Sequence, residues 1–274
     1  MRWKLLTALL VLVCLMSACV WALLGMQSSS GALFVYCGAG IRPAFEPMRE
    51  EFTRTTGIPV QVTYAGSGCL LSMLTFARSG DLYIPGERYY AEQARLAGHT
   101  EDDTVVARFV PVVMVRKGNP KDIRSLADLA RPDVRVGIGQ TKTVACGMVA
   151  QQVLEKAGLW KQVKANIDAQ GAYTGTAVEL TNAIALNALD AAINWDAMAF
   201  LGRDEVDLLV IPEEKNQDVQ IPASVLTWSQ NRGGANKFLE FAASPAGQRH
   251  FEQHGYHTTS SPYQLPYYGE TLVD

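Results

Sequence analysis

Three times along this chain a short apolar run passes into a helix-like segment through a knot of small residues. "LFVY" leads into "CGAG" at 37–40, "PVQVTY" leads to "GSGC" at 66–69, and "VRVGIG" leads through a polar loop to "ACG" at 145–147. A fourth knot, "YTGT" at 173–176, precedes another helical pattern. Strand then helix, repeated with short connections, restricts the chain to an α/β class with mainly parallel sheets. It also restricts where binding can occur, because loops at the carboxyl ends of such strands gather along one edge. Helix starts carry free N–H donors and partial positive charge. Four of them facing one cleft describe an anion cage that needs no lysine.

The remaining pattern extends this reading. Ile41, Phe45, Met48 and Phe52 recur at helical spacing, and Gly57 marks the stop. Pro43 suits a first turn, whereas Pro47 is expected to kink the helix or delay its start. Val105 to Arg116 reads as one long crossing strand, and the stretch around Val210 to Val219 as a second crossing. Two lobes follow: residues 31–110 plus 215–257, and residues 111–214. Residues 258–274 have no clear period and are expected to form a surface tail.

The N-terminus reads as an export segment. "MRWK" is a short basic region, and the chain is uncharged from Leu5 to Met26, long enough to span a bilayer. "MSAC", ending at Cys19, has the form of a lipoprotein signal; the apolar run beyond it, "VWALLGM", has the form of an uncleaved anchor helix. A cleaved soluble form is the third reading; all three place the body outside the cytoplasm, and the first two tether it to a membrane through residues 1–30. Cys37, Cys69 and Cys146 remain in the body, each at a different small-residue loop. They are small residues beside helix starts, or a Cys37–Cys69 bridge, or, kept reduced, soft ligands at the cleft.

Catalytic and nucleic-acid readings find little support. The net charge of −3 lacks the basic excess that nucleic acid requires. Ser67 lies in "AGSGC", where Ala65 and Cys69 stand in place of the two glycines of a hydrolase elbow. His250 and His254 have the i, i+4 spacing of metal ligands, without an HExxH. Asp81 and Asp196 stand at strand ends and read as caps or hinge partners. No enzyme activity, cofactor or metal is expected.

Taken in order, "LFVYCGAGIRPAFEPM", "YAGSGCLLSML" with "GDLYIPG", "SLADLARPDVRVGIG", "ACGMVAQQVLEKAGLW" and "DAAINWDAM" resemble the periplasmic molybdate-binding proteins of ABC importers. The resemblance implies a two-lobed type II periplasmic binding protein clamshell with mixed, mainly parallel sheets. It also implies a monomer that closes on molybdate or tungstate and delivers it to a membrane permease. Carried across, the ligand-binding positions fall on Gly40, Ser67, Cys146, Val178 and Trp195. Gly40 stands where the family has a serine, and Trp195 where it has a tyrosine. The carboxylate positions of a six-coordinate variant fall on Val144 and Asn194, neither of which is a carboxylate. Tyr89 and Tyr90 resemble the tyrosine pair that holds ferric iron in other binding proteins, though they lie within a helical pattern. Sulfate and phosphate remain alternative ligands, and an anion-sensing module tethered to a membrane is the alternative role.

Overall fold

The computed structural model describes residues 31–258 and 270–273. The expected leader and tether, residues 1–30, lie outside them. The first lobe opens with β1 (Leu33–Gly38), a 3-10 turn at Ala39–Ile41 and α1 (Arg42–Thr56). It continues with β2 (Val60–Ala65), α2 (Ser67–Ala77), β3 (Leu82–Ile84), α3 (Arg88–Leu96) and β4 (Thr100–Phe109). The second lobe holds β5 (Pro111–Arg116), β6 (Val136–Gly139), α4 (Ala145–Lys156), α5 (Trp160–Gln170) and β7 (Ala172–Thr174). It is completed by α6 (Ala177–Ala185), β8 (Ala191–Trp195), α7 (Asp196–Leu201) and β9 (Val206–Val210). The chain then returns to the first lobe with β10 (Val219–Leu226), α8 (Arg232–Ala243) and α9 (Pro245–Gln253), and β11 (Glu270–Thr271) follows.

Two mixed sheets result, in the orders β2-β1-β3-β10-β4 and β11-β9-β5-β8-β6-β7. The antiparallel pairings are those made by β10 and β5, the strands that follow a crossing between lobes. The others are parallel, as the βα pattern requires. This is the two-lobed α/β clamshell that the sequence predicts.

Helix α1 shows how the pattern becomes packing. Its apolar stripe, Phe45, Met48 and Phe52, is buried. Phe52 meets Phe238 of α8 edge to face, with ring centroids 5.0 Å apart. Gly57 closes the helix in the left-handed region at φ 72°, where glycine is at no disadvantage. The helix runs unbroken through Pro47, contrary to expectation. One lost N–H bond, offset by this packing, does not end a helix of this length.

Two further expectations change. Val105 to Arg116 is not one strand: β4 ends at Phe109, β5 begins at Pro111, and Val110 stands alone between the sheets. Nor is the C-terminus wholly a surface tail. Thr258 is buried, His257 bridges to Arg108, and β11 adds a parallel edge to β9 in the second lobe's sheet, with Leu272 buried behind it. A two-residue strand carries no periodic signal, so sequence could not reveal it. Residues 259–269 and 274 lie outside the described residues.

Candidate functional site

The four small-residue loops do meet. A cavity between the lobes is lined from the first lobe by Gly38–Ile41 and Ala65–Ser67, and from the second by Val144–Cys146 and Thr176–Ala177. Gly86, Phe109 and Trp195 complete the wall. Its volume is about 20 Å³, room for one small, compact group. No Asp, Glu, Lys or Arg is among the lining residues. A much larger cavity of about 680 Å³ is lined by Lys117, Asn119, Phe200, Arg203, Asp207 and Glu270, with charges of both signs.

The starts of α2 and α4 carry no side-chain cap, whereas that of α6 does. Ser67 is the first residue of α2, whose N-cap Gly66 offers no side-chain bond. The Ser67 hydroxyl accepts the Gly86 N–H at 3.0 Å, which leaves its own hydrogen free to donate. Tyr83 fixes the same residue by donating to the Ser67 carbonyl at 2.8 Å. Helix α4 likewise starts at Val144 without a side-chain cap. Thr176 caps α6, accepting from the Glu179 N–H at 3.2 Å and donating to the Glu179 carboxylate at 3.1 Å. Asn194 holds that helix start by donating to the Ala177 carbonyl at 2.9 Å. Asn194 therefore positions the wall, and Val144 contributes only apolar surface and backbone.

Trp195 ends β8 and lies flat on Phe109, with centroids 4.7 Å apart and planes 7° from parallel. Its Nε1 edge faces the first loop: a Cβ on Gly40 would lie 3.5 Å from Nε1 and 3.4 Å from Cδ1. The indole thus fills the space a side chain at 40 would use. Tyr256 anchors that loop from behind, donating to the Gly40 carbonyl at 2.6 Å.

Four of the five expected positions, Gly40, Ser67, Cys146 and Trp195, line the cavity. The fifth, Val178, is displaced into the first turn of α6, and Thr176 and Ala177 form the wall instead. Nothing local in the sequence marks Gly86 and Phe109 as lining residues; only sheet pairing brings them there.

The cysteines separate. Cys37 and Cys146 are buried, Cys69 is exposed, and all three are free thiols, so of the three readings of these cysteines the Cys37–Cys69 bridge is absent. Only Cys146 reaches the cavity. Burial pushes its thiol up to about 12, which keeps it protonated, and burial raises Cys37 well above the usual thiol range. Tyr90 does not face the cavity as an iron ligand; its hydroxyl donates to the Lys142 carbonyl at 3.3 Å. His250 pairs with Glu51 at 2.7 Å, and His254 Nδ1 lies 2.7 Å from the His250 carbonyl. Among the described residues no cluster of His, Cys, Asp and Glu has a metal-holding arrangement. Asp81 is buried and accepts from the Phe34 N–H at 2.8 Å and the Ser229 hydroxyl at 2.6 Å, a structural role.

Known proteins share this architecture. A binding protein of Haemophilus influenzae is 29% identical over 224 residues, spanning 82% of this chain and 90% of its own. The molybdate-binding protein ModA of Mycobacterium bovis is 26% identical over 238 residues, spanning 85% and 87%. The periplasmic molybdate-binding protein of Azotobacter vinelandii superposes with a TM-score of 0.73 at 16% identity, covering 84% of this chain and 100% of that one. At that identity the likeness establishes the fold. Residues 33–257 match the bacterial extracellular solute-binding proteins across both lobes and the cavity between them, and the chain belongs to that family.

Proposed function

We propose that this protein captures a small, fully deprotonated oxyanion of the molybdate and tungstate class outside the cytoplasm and delivers it to an ABC importer. The observation that carries this reading is the cavity wall. It is compact, uncharged, and built from helix starts, a serine whose acceptor side is already used, and an indole edge. Such a wall supplies donors and few acceptors. A dianion without protons satisfies it, whereas hydrogen phosphate brings a proton that needs an acceptor, and an unpaired buried donor is costly. The size of the cavity argues against sugars and amino acids. The relatives support the choice of ion, since the Mycobacterium bovis and Azotobacter vinelandii proteins are molybdate-binding.

Ligand contacts are assigned to Gly40, Ser67, Cys146 and Trp195, with the first turn of α6 in place of Val178 alone. The test is calorimetric titration with molybdate, tungstate, sulfate and phosphate. The expected result is tight binding of the first two, weaker sulfate and no phosphate. Absence of heat with both molybdate and tungstate overturns the assignment.

A further inference from the structure

The loops that open α2 and α4 touch beside the cavity, from opposite lobes. Gly68 donates its N–H to the Thr143 carbonyl at 3.0 Å. From α3, Tyr90 donates to the neighbouring Lys142 carbonyl at 3.3 Å. The approach leaves no room for a side chain. A Cβ on Gly66 would stand 2.7 Å from the Thr143 oxygen and 3.1 Å from the Gly175 oxygen. A Cβ on Gly68 would stand 2.9 Å from the Thr143 Cα and 3.1 Å from the Lys142 oxygen. These are backbone atoms, which no rotamer change can move aside.

The first lobe does not itself need these glycines. Gly66 has φ −63° and ψ 145°, open to any residue. Gly68 lies inside α2, where alanine is the better helix former. The facing lobe's backbone sets the closest approach, and within the first lobe the edge of the Tyr90 ring would lie 3.1 Å from a Cβ on Gly68. Neither Gly68 nor Tyr90 lines the cavity.

We infer that Gly66, Gly68 and Tyr90 form a clasp with Lys142 and Thr143 that sets ligand affinity by holding the lobes shut, with Gly68 and Tyr90 acting as positioning residues that touch no ligand. The inference rests on the reading of an anion captured between closing lobes. The clasp bonds form only in the closed state, so weakening them raises the release rate while the cavity donors stay unchanged.

The test compares wild type, Gly68→Ala and Tyr90→Phe by molybdate calorimetry, X-ray scattering and thermal melting without ligand. Gly68→Ala is expected to melt no lower than wild type, to lose about tenfold or more in affinity, and not to compact on adding molybdate. Tyr90→Phe keeps the ring and loses the bond, with an expected affinity loss of about two- to tenfold. Gly68→Ala that binds and compacts like wild type overturns the clasp. If wild type binds no oxyanion, the oxyanion reading fails, and scattering alone judges the clasp. Wild type more compact than Gly68→Ala upholds it; identical curves overturn it.

Discussion

Asp196 holds Val110 at both of its peptide groups: its carboxylate accepts the Val110 N–H at 3.0 Å, and its own N–H donates to the Val110 carbonyl at 2.9 Å. Val110 is the single residue between the two sheets, and Asp196 directly follows Trp195 in the cavity wall. The other carboxylate oxygen meets His257 Nε2 at 2.6 Å, and His257 is bridged through its backbone to Arg108. At the second crossing, Asn216 donates to the Pro111 carbonyl at 2.9 Å. The hinge is therefore a buried hydrogen-bonded knot one residue away from the cavity. Asp196→Ala leaves the Val110 N–H without its acceptor. The expected loss of stability is about 1–3 kcal/mol, measured by urea unfolding.

The same knot predicts a pH dependence. The hydrogen bond to Asp196 raises the His257 imidazole above its ordinary value, with Asp218 adding to the effect and burial opposing it. A group raised on folding contributes stability that is complete below its unfolded value and is lost as pH rises through the folded one. Melting temperature should therefore fall as pH rises above the ordinary imidazole value of about 6.5. His257→Gln should remove that part of the slope, and an unchanged slope in the variant would refute the assignment.

Ser67→Ala should act in two ways at once. It removes the proposed donor to the ligand, with an expected loss of binding of about 1.5–3 kcal/mol for a bond to a charged group. It also strips the Gly86 N–H of its acceptor, so the ligand-free protein should melt lower. Calorimetry and melting separate the two effects, and a variant that binds molybdate as tightly as wild type would remove Ser67 from the site.

Trp195→Phe keeps a ring to stack on Phe109 but removes the indole N–H and part of a buried ring system. Binding should weaken by about 1.5–3 kcal/mol, and the ligand-free protein should melt lower because of the space left behind. Gly40→Val should be more severe, because its branches would press on Trp195 and Ala177, which lie 3.4 Å from the first added carbon. In wild type, ligand should change the tryptophan fluorescence; retention of the full change in Trp195→Phe would place the reporting indole elsewhere.

Thiol labelling of the native protein, read by peptide mass, should modify Cys69 quickly and Cys37 and Cys146 only on unfolding. Exposure decides this for Cys69, and burial keeps the other two protonated. A disulfide between Cys37 and Cys69, or rapid labelling of Cys146, would contradict the structure.

The sequence by itself determined the α/β alternation, the stripe of Phe45, Met48 and Phe52, the stop at Gly57, and the small-residue loops at 38–40, 66–68 and 145–147. Periodicity, capping and turn chemistry act over a few residues, so each is written locally. Tertiary structure alone decided that Val110 breaks a continuous apolar run, because two sheets compete for the segment on either side of it. It placed Gly86 and Phe109 in the cavity, moved the wall from Val178 to Thr176 and Ala177, and turned Cys69 outward. It also set the Thr143 and Lys142 backbone of the opposite lobe, and the Tyr90 ring, against Gly68. Contacts between segments far apart in the chain depend on how whole sheets pack and cross, and no short window of residues encodes that.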